Sequence, residues 1–550
     1  MATAISSSAA GRTTVTLARG ENQALGLGRF ACDFIHGAIG TPHRSVIERT
    51  ELFFLDAVLC GLSALALGTN APTILRAEAL EYEDPRGATV FGSSKNVAAE
   101  KAILANCAAV REWDSNGTNF GYNPALGHTA GEFGHNDFYA VPIAAAQQRG
   151  LDGEAAVRGM ILLDEIRGRL AEVFSLKTYK IDHVVHGAIA SAATYGAMMG
   201  ATPEQIESAI GMVVAHYIPF RAIRAGKQLS DSKGASAAIS TEVAVLSMKR
   251  AMRVPGFIGP KDIFRNPEAI FRFFQPTTEG KDRWKEVGPS PFDLVLSHSG
   301  ADFAVMGMHF KMGLYEHQSA GALQGLLTLL QENSEILEDV QDIQSIRIIA
   351  YEPAFGIIGN PAKKDPKTRQ SADHSMAYIV ATTLRKAIEH VKKVGALPAA
   401  PSPQPSPGGR GGRSGSSDAL WKALMLGPHD YSSDAIFHRD TRALMEKITF
   451  EHGGKEYDEK YPDGIPTSIV ITMKDGSKFD SGLVMYPAGH ARNTTAKLRD
   501  ILDVKFDMLG RLAADDPRPI VARFSNLSAK SAQEIATLHD FTIADRGKIE

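Results

Sequence analysis

Cysteine is the most telling scarcity in this 550-residue chain: Cys32, Cys60 and Cys107 are the only three. They form no CxxC pair and have no close histidine partner, which argues against a zinc knuckle, a local iron–sulfur ligand pattern and a disulfide scaffold. A dominant charge of one sign is also lacking. The formal net charge is −3, so no basic field marks a nucleic-acid face, which would need clustered Lys and Arg. No uninterrupted apolar run reaches the length of a membrane span; the best stretch, residues 53–67, is short and broken by Asp56. There is no GxxxxGK[ST], HExxH, GxSxG or kinase signature set, and phosphoryl transfer and serine hydrolysis lose their usual anchors. Gly26-Leu27-Gly28-Arg29-Phe30-Ala31 matches GxGxxA in letters. No buried strand precedes it, so no dinucleotide site is expected there.

What is present reads as a globular chain, with 44% hydrophobic and 22% charged residues. Its length exceeds one simple core and predicts two domains or more. From about residue 25 to 255, small and apolar residues recur at helical spacing through 45–67, 97–113, 154–173 and 184–199. Many of these helices are rich in Ala and Gly and are expected to pack closely. Thr202-Pro203-Glu204-Gln205 opens a further helix with a cap, a first-position proline and a capping box. After about residue 300 the texture changes. Residues 346–350 read as a strand, 375–388 as a helix, and 468–473 with 483–486 as strands joined through a turn at Asp475-Gly476. Helical pattern returns at 495–512 and 529–539.

The expected fold is mainly α with an inserted α+β domain. A large helical-bundle domain takes residues 20–298 together with 493–550, and a smaller α/β domain takes 299–492. Within the latter, residues 397–417 are a Pro-rich run followed by Gly, Arg and Ser, expected to be a disordered or polyproline-like insertion. The first twenty residues are Ser/Ala/Thr-rich with Arg12 and Arg19 but no acid. A transit peptide shares that bias, and there is no secretory apolar core. A cytoplasmic location is expected, or the mitochondrial matrix if the source is eukaryotic.

One arrangement recurs: an ionisable residue stands where a small-residue helix begins. Lys233 follows Ser230-Asp231-Ser232, His183 follows Asp182, His135 precedes Asn136-Asp137, and His317 precedes an apolar helix over 318–330. Helix N-termini present unpaired N–H groups and partial positive charge, which suit carboxylates. Several together would match a di- or tricarboxylate, whereas any one alone reads as a solvated helix-start residue. Asp114 and Thr118, four residues apart, would share a face on a helix. Arg221 and Arg224 follow Tyr217-Ile218-Pro219-Phe220 and would clamp a carboxylate.

These residues fall in an ordered series. It runs Leu55-Asp56-Ala57-Val58-Leu59-Cys60-Gly61, Trp113-Asp114 through Thr118, Gly134-His135, Asp182-His183 and Asp231-Ser232-Lys233. Lys311 through His317, His374-Ser375-Met376-Ala377-Tyr378 and Tyr486-Pro487-Ala488-Gly489-His490-Ala491-Arg492 complete it. The series resembles the MmgE/PrpD family, which includes 2-methylcitrate dehydratase, cis-aconitate decarboxylase and iminodisuccinate epimerase. The resemblance implies an all-helical domain with an α/β lid, a homodimer, and chemistry without a metal or organic cofactor. It also places Asp114, Thr118, His135, His183, Lys233, Lys311, His317 and Tyr378 at the active site. The best-known citrate dehydratases use an iron–sulfur cluster, for which this chain lacks a local ligand pattern. Two stretches depart from the family pattern: an extended segment between Thr118 and His135, and the loop Gly313-Leu314-Tyr315-Glu316, which lacks the usual Phe-Pro.

The function implied is dehydration of a hydroxy-tricarboxylate, 2-methylcitrate to 2-methylaconitate in propionate catabolism. The alternatives are cis-aconitate decarboxylation, epimerisation, and a non-catalytic polycarboxylate-binding protein. In the expected mechanism Lys233, Lys311 and Arg224 bind carboxylates while His135 or His183 removes the proton. Asp114, kept protonated by burial, or the other histidine would protonate the leaving hydroxyl. Thr118 and Tyr378 would orient the substrate.

Overall fold

Small side chains set the spacing of the helices that make up most of the molecule. Helix Val184–Met199 has almost no polar face and is buried nearly throughout. It packs between Gly153–Val173 and Asp231–Ala251, and the latter also lies along Ala99–Glu112, which rests on Arg44–Ala66. Glycines mark the closest approaches. A Cβ on Gly187 would lie 2.0 Å from the Phe138 ring, and one on Gly28 would lie 2.6 Å from the Pro203 carbonyl oxygen. Gly28 therefore belongs to the crossing of helix Gln23–Ile35 with helix Pro203–His216. The GxGxxA letters lie inside a helix, as the missing strand implied. Thr202 and Gln205 form the expected capping box.

The computed structural model describes residues 13–224, 228–273, 288–398 and 417–550. The expected insertion at 397–417 lies almost wholly outside them. Four strands form the largest sheet, in the order Lys478–Asp480, Thr467–Met473, Ile343–Ala350, Ile448–His452. Only the pairing of Ile343–Ala350 with Ile448–His452 is parallel. Helix Ala320–Glu332 packs on Thr467–Met473, and helix Met376–Val394 packs on Arg439–Lys447. The hairpin partner expected at 483–486 is instead Lys478–Asp480, which pairs directly after the turn at Asp475-Gly476. Val484 makes only an isolated bridge to Thr467. The helix expected at 529–539 is confined to Ala532–Ala536, capped by Ser531 and Glu534. The chain is thus mostly helical with small sheets.

Helix Leu498–Ala513 packs back on Arg44–Ala66 and carries a lysine into the interior. Lys505 Nζ lies 2.6 Å from Asp56 Oδ1, and both side chains are fully buried. The same ammonium donates to the carbonyl oxygens of Ser115 at 2.6 Å and Lys311 at 3.0 Å. Asp56, which interrupts the apolar stretch at 53–67, is therefore the counter-ion of a lysine that pins two loops. Among the described residues no single helix is long and apolar enough to cross a membrane. Removing one partner of such a buried pair strands the other charge. Lys505→Met is expected to lower stability in urea unfolding by about 3–5 kcal/mol, and adding Asp56→Leu should restore part of it.

Candidate active site

Helix Ala99–Glu112 stops at Trp113, whose backbone is extended, so Asp114 leaves the helix rather than continuing it. Thr118 then enters a two-residue strand, Thr118–Asn119, paired with Gly134–His135, and stands directly opposite His135. Asp114 and Thr118 do reach one cavity, but by strand pairing and not by sharing a helix face. His135 is likewise in a strand, and the helix after it begins only at Ala140. The other helix starts are as expected. Lys233 lies in the first turn of Asp231–Ala251, and His183 caps Val184–Met199. His317 opens a short turn, His317–Ser319, before Ala320–Glu332.

The cavity draws positive charge from Arg111, Arg221, Arg224, Lys233 and Lys363, against two acids, Asp114 and Glu316. His135, His183, His374 and Thr118 add polar groups, and Phe120, Phe133, Leu229, Ile357 and Ile358 form an apolar wall. An excess of cations with low-dielectric walls attracts anions. Thr118 Oγ1 donates to the Gly134 carbonyl at 2.7 Å, which fixes the hydroxyl.

Asp114 is the centre of this charge. It pairs with Lys311, lies 2.8 Å from His374 Nε2, 3.4 Å from Arg111 Nη2 and 3.6 Å from Lys233 Nζ. Burial works to raise its proton affinity, but Arg111, Lys311, Lys233 and His374 outweigh burial and hold the carboxyl well below its usual range. The expectation that burial keeps Asp114 protonated is therefore reversed. Its partners supply more than the desolvation takes away.

His135 and His183 present rings 5.4 Å apart. Burial first, then Arg111 and Lys311, push His135 well below the usual imidazole range. Burial and Arg224 do the same to His183, although Asp182 opposes them. Both are neutral at neutral pH, the state a proton acceptor needs. Arg224 is tied to Asp182, with Nη2 at 3.1 Å from Oδ1, and also donates to His183 Nε2 at 3.2 Å. Lys233 Nζ is buried without a hydrogen-bond partner among the described residues. Burial and Arg111 pull it down to about 8.

Three expected residues lie behind or beside the cavity rather than on its wall. Lys311 is fully buried and acts on Asp114 alone of the wall residues through its ion pair. His317 stacks on His309 with ring centroids 5.2 Å apart, and neither ring nitrogen has a hydrogen-bond partner among the described residues. The Tyr378 hydroxyl donates to the Asp430 carbonyl at 2.6 Å. The structure adds residues that the sequence reading did not assign to the site. Arg111 and Glu316 line the cavity. His374 Nδ1 lies 2.5 Å from Asp373 Oδ1, and Asp373 Oδ2 is 3.5 Å from Arg369. Arg369 also pairs with Glu112 and places its guanidinium 4.8 Å over the Trp113 ring. His374 stood in the family-like series, whereas Arg111 looks like any basic residue in a last helical turn.

Asp114, Asp373 and His374 bring three ligand atoms within 4.8 Å of one another, close enough for a metal ion. Both carboxylates already face protein cations: Arg111, Lys233 and Lys311 at Asp114, and Arg369 at Asp373. A divalent ion would meet all four, so the donor set does not fit one.

Lys233 generates a test. Its ammonium form attracts carboxylates, and that form prevails below about pH 8. Affinity for the inert tricarboxylate tricarballylate, measured by calorimetry, should therefore weaken as pH rises through about 8. Lys233→Gln should bind more weakly at neutral pH and show a shallower dependence.

Residues 30–282 match the MmgE/PrpD N-terminal domain, and residues 315–394 and 423–517 match the MmgE/PrpD C-terminal domain. The interruption between 394 and 423 contains the Pro/Gly/Ser run. A 2-methylcitrate dehydratase of Escherichia coli O157:H7 is 24% identical over 466 residues, covering 82% of this chain and 83% of that one. A mitochondrial 2-methylcitrate dehydratase of Yarrowia lipolytica is 24% identical over 473 residues, covering 81% and 76%. An alkylcitrate dehydratase of a fungal species is 21% identical over 494 residues, covering 86% and 85%. With both family domains matched in order over most of its length, the chain belongs to the MmgE/PrpD family.

Proposed function

We propose that this chain is a hydro-lyase that removes water from a hydroxy-tricarboxylate, with 2-methylcitrate as substrate and 2-methylaconitate as product. The observation that carries the reading is the cavity itself, where cations surround an ionised Asp114 and two neutral histidines share the wall. The relatives named for dehydrating methylcitrate and alkylcitrate support the same class of reaction.

Each part of the reaction has a group suited to it. Removing a proton beside a carboxylate creates enolate-like charge, which Arg111, Arg224 and Lys233 stabilise in a site with little water. His135 or His183 accepts the proton, each being neutral and on the cavity wall. Thr118 orients the substrate from its fixed hydroxyl. Lys311 acts through Asp114, holding the carboxylate that in turn holds Lys233 and His374. Residues 299–492 would serve as the lid, since Glu316, Gln318, Lys363 and His374 come from that segment while the rest of the polar wall comes from residues 111–233.

The test is product analysis by NMR with chelator-treated protein given citrate, 2-methylcitrate and cis-aconitate in turn. Formation of 2-methylaconitate is expected. Release of carbon dioxide from cis-aconitate alone, or loss of activity to the chelator, would contradict the reading. His183→Gln should lower kcat/KM by about 100-fold or more if His183 moves the proton. A near-normal value would assign that step to His135.

A further inference from the structure

Expelling hydroxide from carbon at neutral pH calls for a proton donor, and the groups assigned so far do not supply one. Asp114 is ionised, and His135 and His183 are held neutral by burial. Arginine does not give up its proton in proteins. Lys233 would remove a cation from the site just as negative charge develops.

Glu316 remains. It ends the loop that sets this chain apart from the usual family pattern, and it lines the same cavity as Asp114. Its backbone N–H donates to the Asp373 carbonyl at 2.9 Å, and its Oε2 accepts from the Gln318 N–H at 2.8 Å. The residue is therefore fixed at its backbone and at one carboxyl oxygen. Oε1 has no hydrogen-bond partner among the described residues, and the side chain is only partly covered. From these placements we propose that Glu316 is the general acid, its Oε1 delivering the proton to the departing hydroxyl. The assignment rests on the dehydratase reading above.

The surroundings favour the acid form. Burial and the negative charge of Asp114 raise the Glu316 carboxyl to about 8, against the opposing ammonium groups of Lys311 and Lys233. The phenols of Tyr351 and Tyr461 also face it. Two carboxyls in one cavity are thus driven apart, Asp114 ionised and Glu316 protonated, which separates their roles. The step balances without a co-reactant. A histidine takes the proton, the C–H electron pair becomes the new C=C bond, and the C–O bond breaks with its pair on oxygen. The Glu316 proton converts that oxygen to water; the histidine then releases its proton to solvent and the Glu316 carboxylate takes one up, which restores both groups.

Glu316→Gln keeps the shape and removes the acid. With 2-methylcitrate, kcat should fall about 100-fold while KM changes by less than about threefold. Glu316→Asp should recover part of the rate. Unchanged thermal melting and tricarballylate binding would show that the variant folds and binds. A kcat close to wild type or a raised KM at normal kcat would overturn the assignment while leaving the dehydratase reading intact. If the wild-type protein makes no unsaturated acid from any hydroxy-tricarboxylate, both readings fall together.

Discussion

Asp114 carries a negative charge on a fully buried side chain, and four groups from separate parts of the chain converge on it. Arg111 comes from the end of helix Ala99–Glu112, Lys233 from the start of Asp231–Ala251, Lys311 from a loop, and His374 from just before Met376–Val394. Left alone, Arg111, Lys233 and Lys311 would repel one another at this spacing, and none would be stable so deep. With Asp114 among them the repulsion is relieved, and the cluster keeps a net positive charge whose outer cations face the cavity. The electrostatics of the site follow from that one ionised carboxyl.

Further ion pairs hold the cluster in register. Lys505 ties the backbone at Ser115, next to Asp114, to the backbone at Lys311 itself. Arg369 supports Asp373, which orients His374 toward Asp114. These contacts link the C-terminal helix, the helical bundle and the segment around the larger sheet, so a site drawn from distant stretches of sequence keeps its geometry. The same charges separate the protonation states within it. His135 and His183 are neutral, Asp114 is ionised, and Glu316 keeps its proton to about 8.

The helical framework was legible because small apolar residues recur at helical spacing, and the Thr202–Gln205 box declared its own start. The strand expected at 346–350 is the later part of Ile343–Ala350, whereas 483–486 was misread because the tight turn let Lys478–Asp480 pair first. Lys233 and His183 stood out at helix starts. The meeting of Asp114 with Thr118 and His135 was legible only as a series, since the two-residue pairing that joins them is a tertiary contact. Asp114's protonation state could not be read from sequence, because the cations that decide it lie three to 260 positions away. Tyr378 sits near the helix start where it was expected, yet its hydroxyl turns to Asp430. Glu316 carried no signal, since an acid before a histidine gains meaning only when burial and Asp114 act on it.

The ionised state of Asp114 is directly measurable by 13C NMR of protein labelled at the aspartate side-chain carboxyls, with Asp114→Asn identifying the resonance. An Asp114 signal that stays at the ionised position throughout the neutral range is the predicted result. A signal that titrates near neutral pH would contradict the charge arrangement on which the binding cavity and the division of acid and base roles depend.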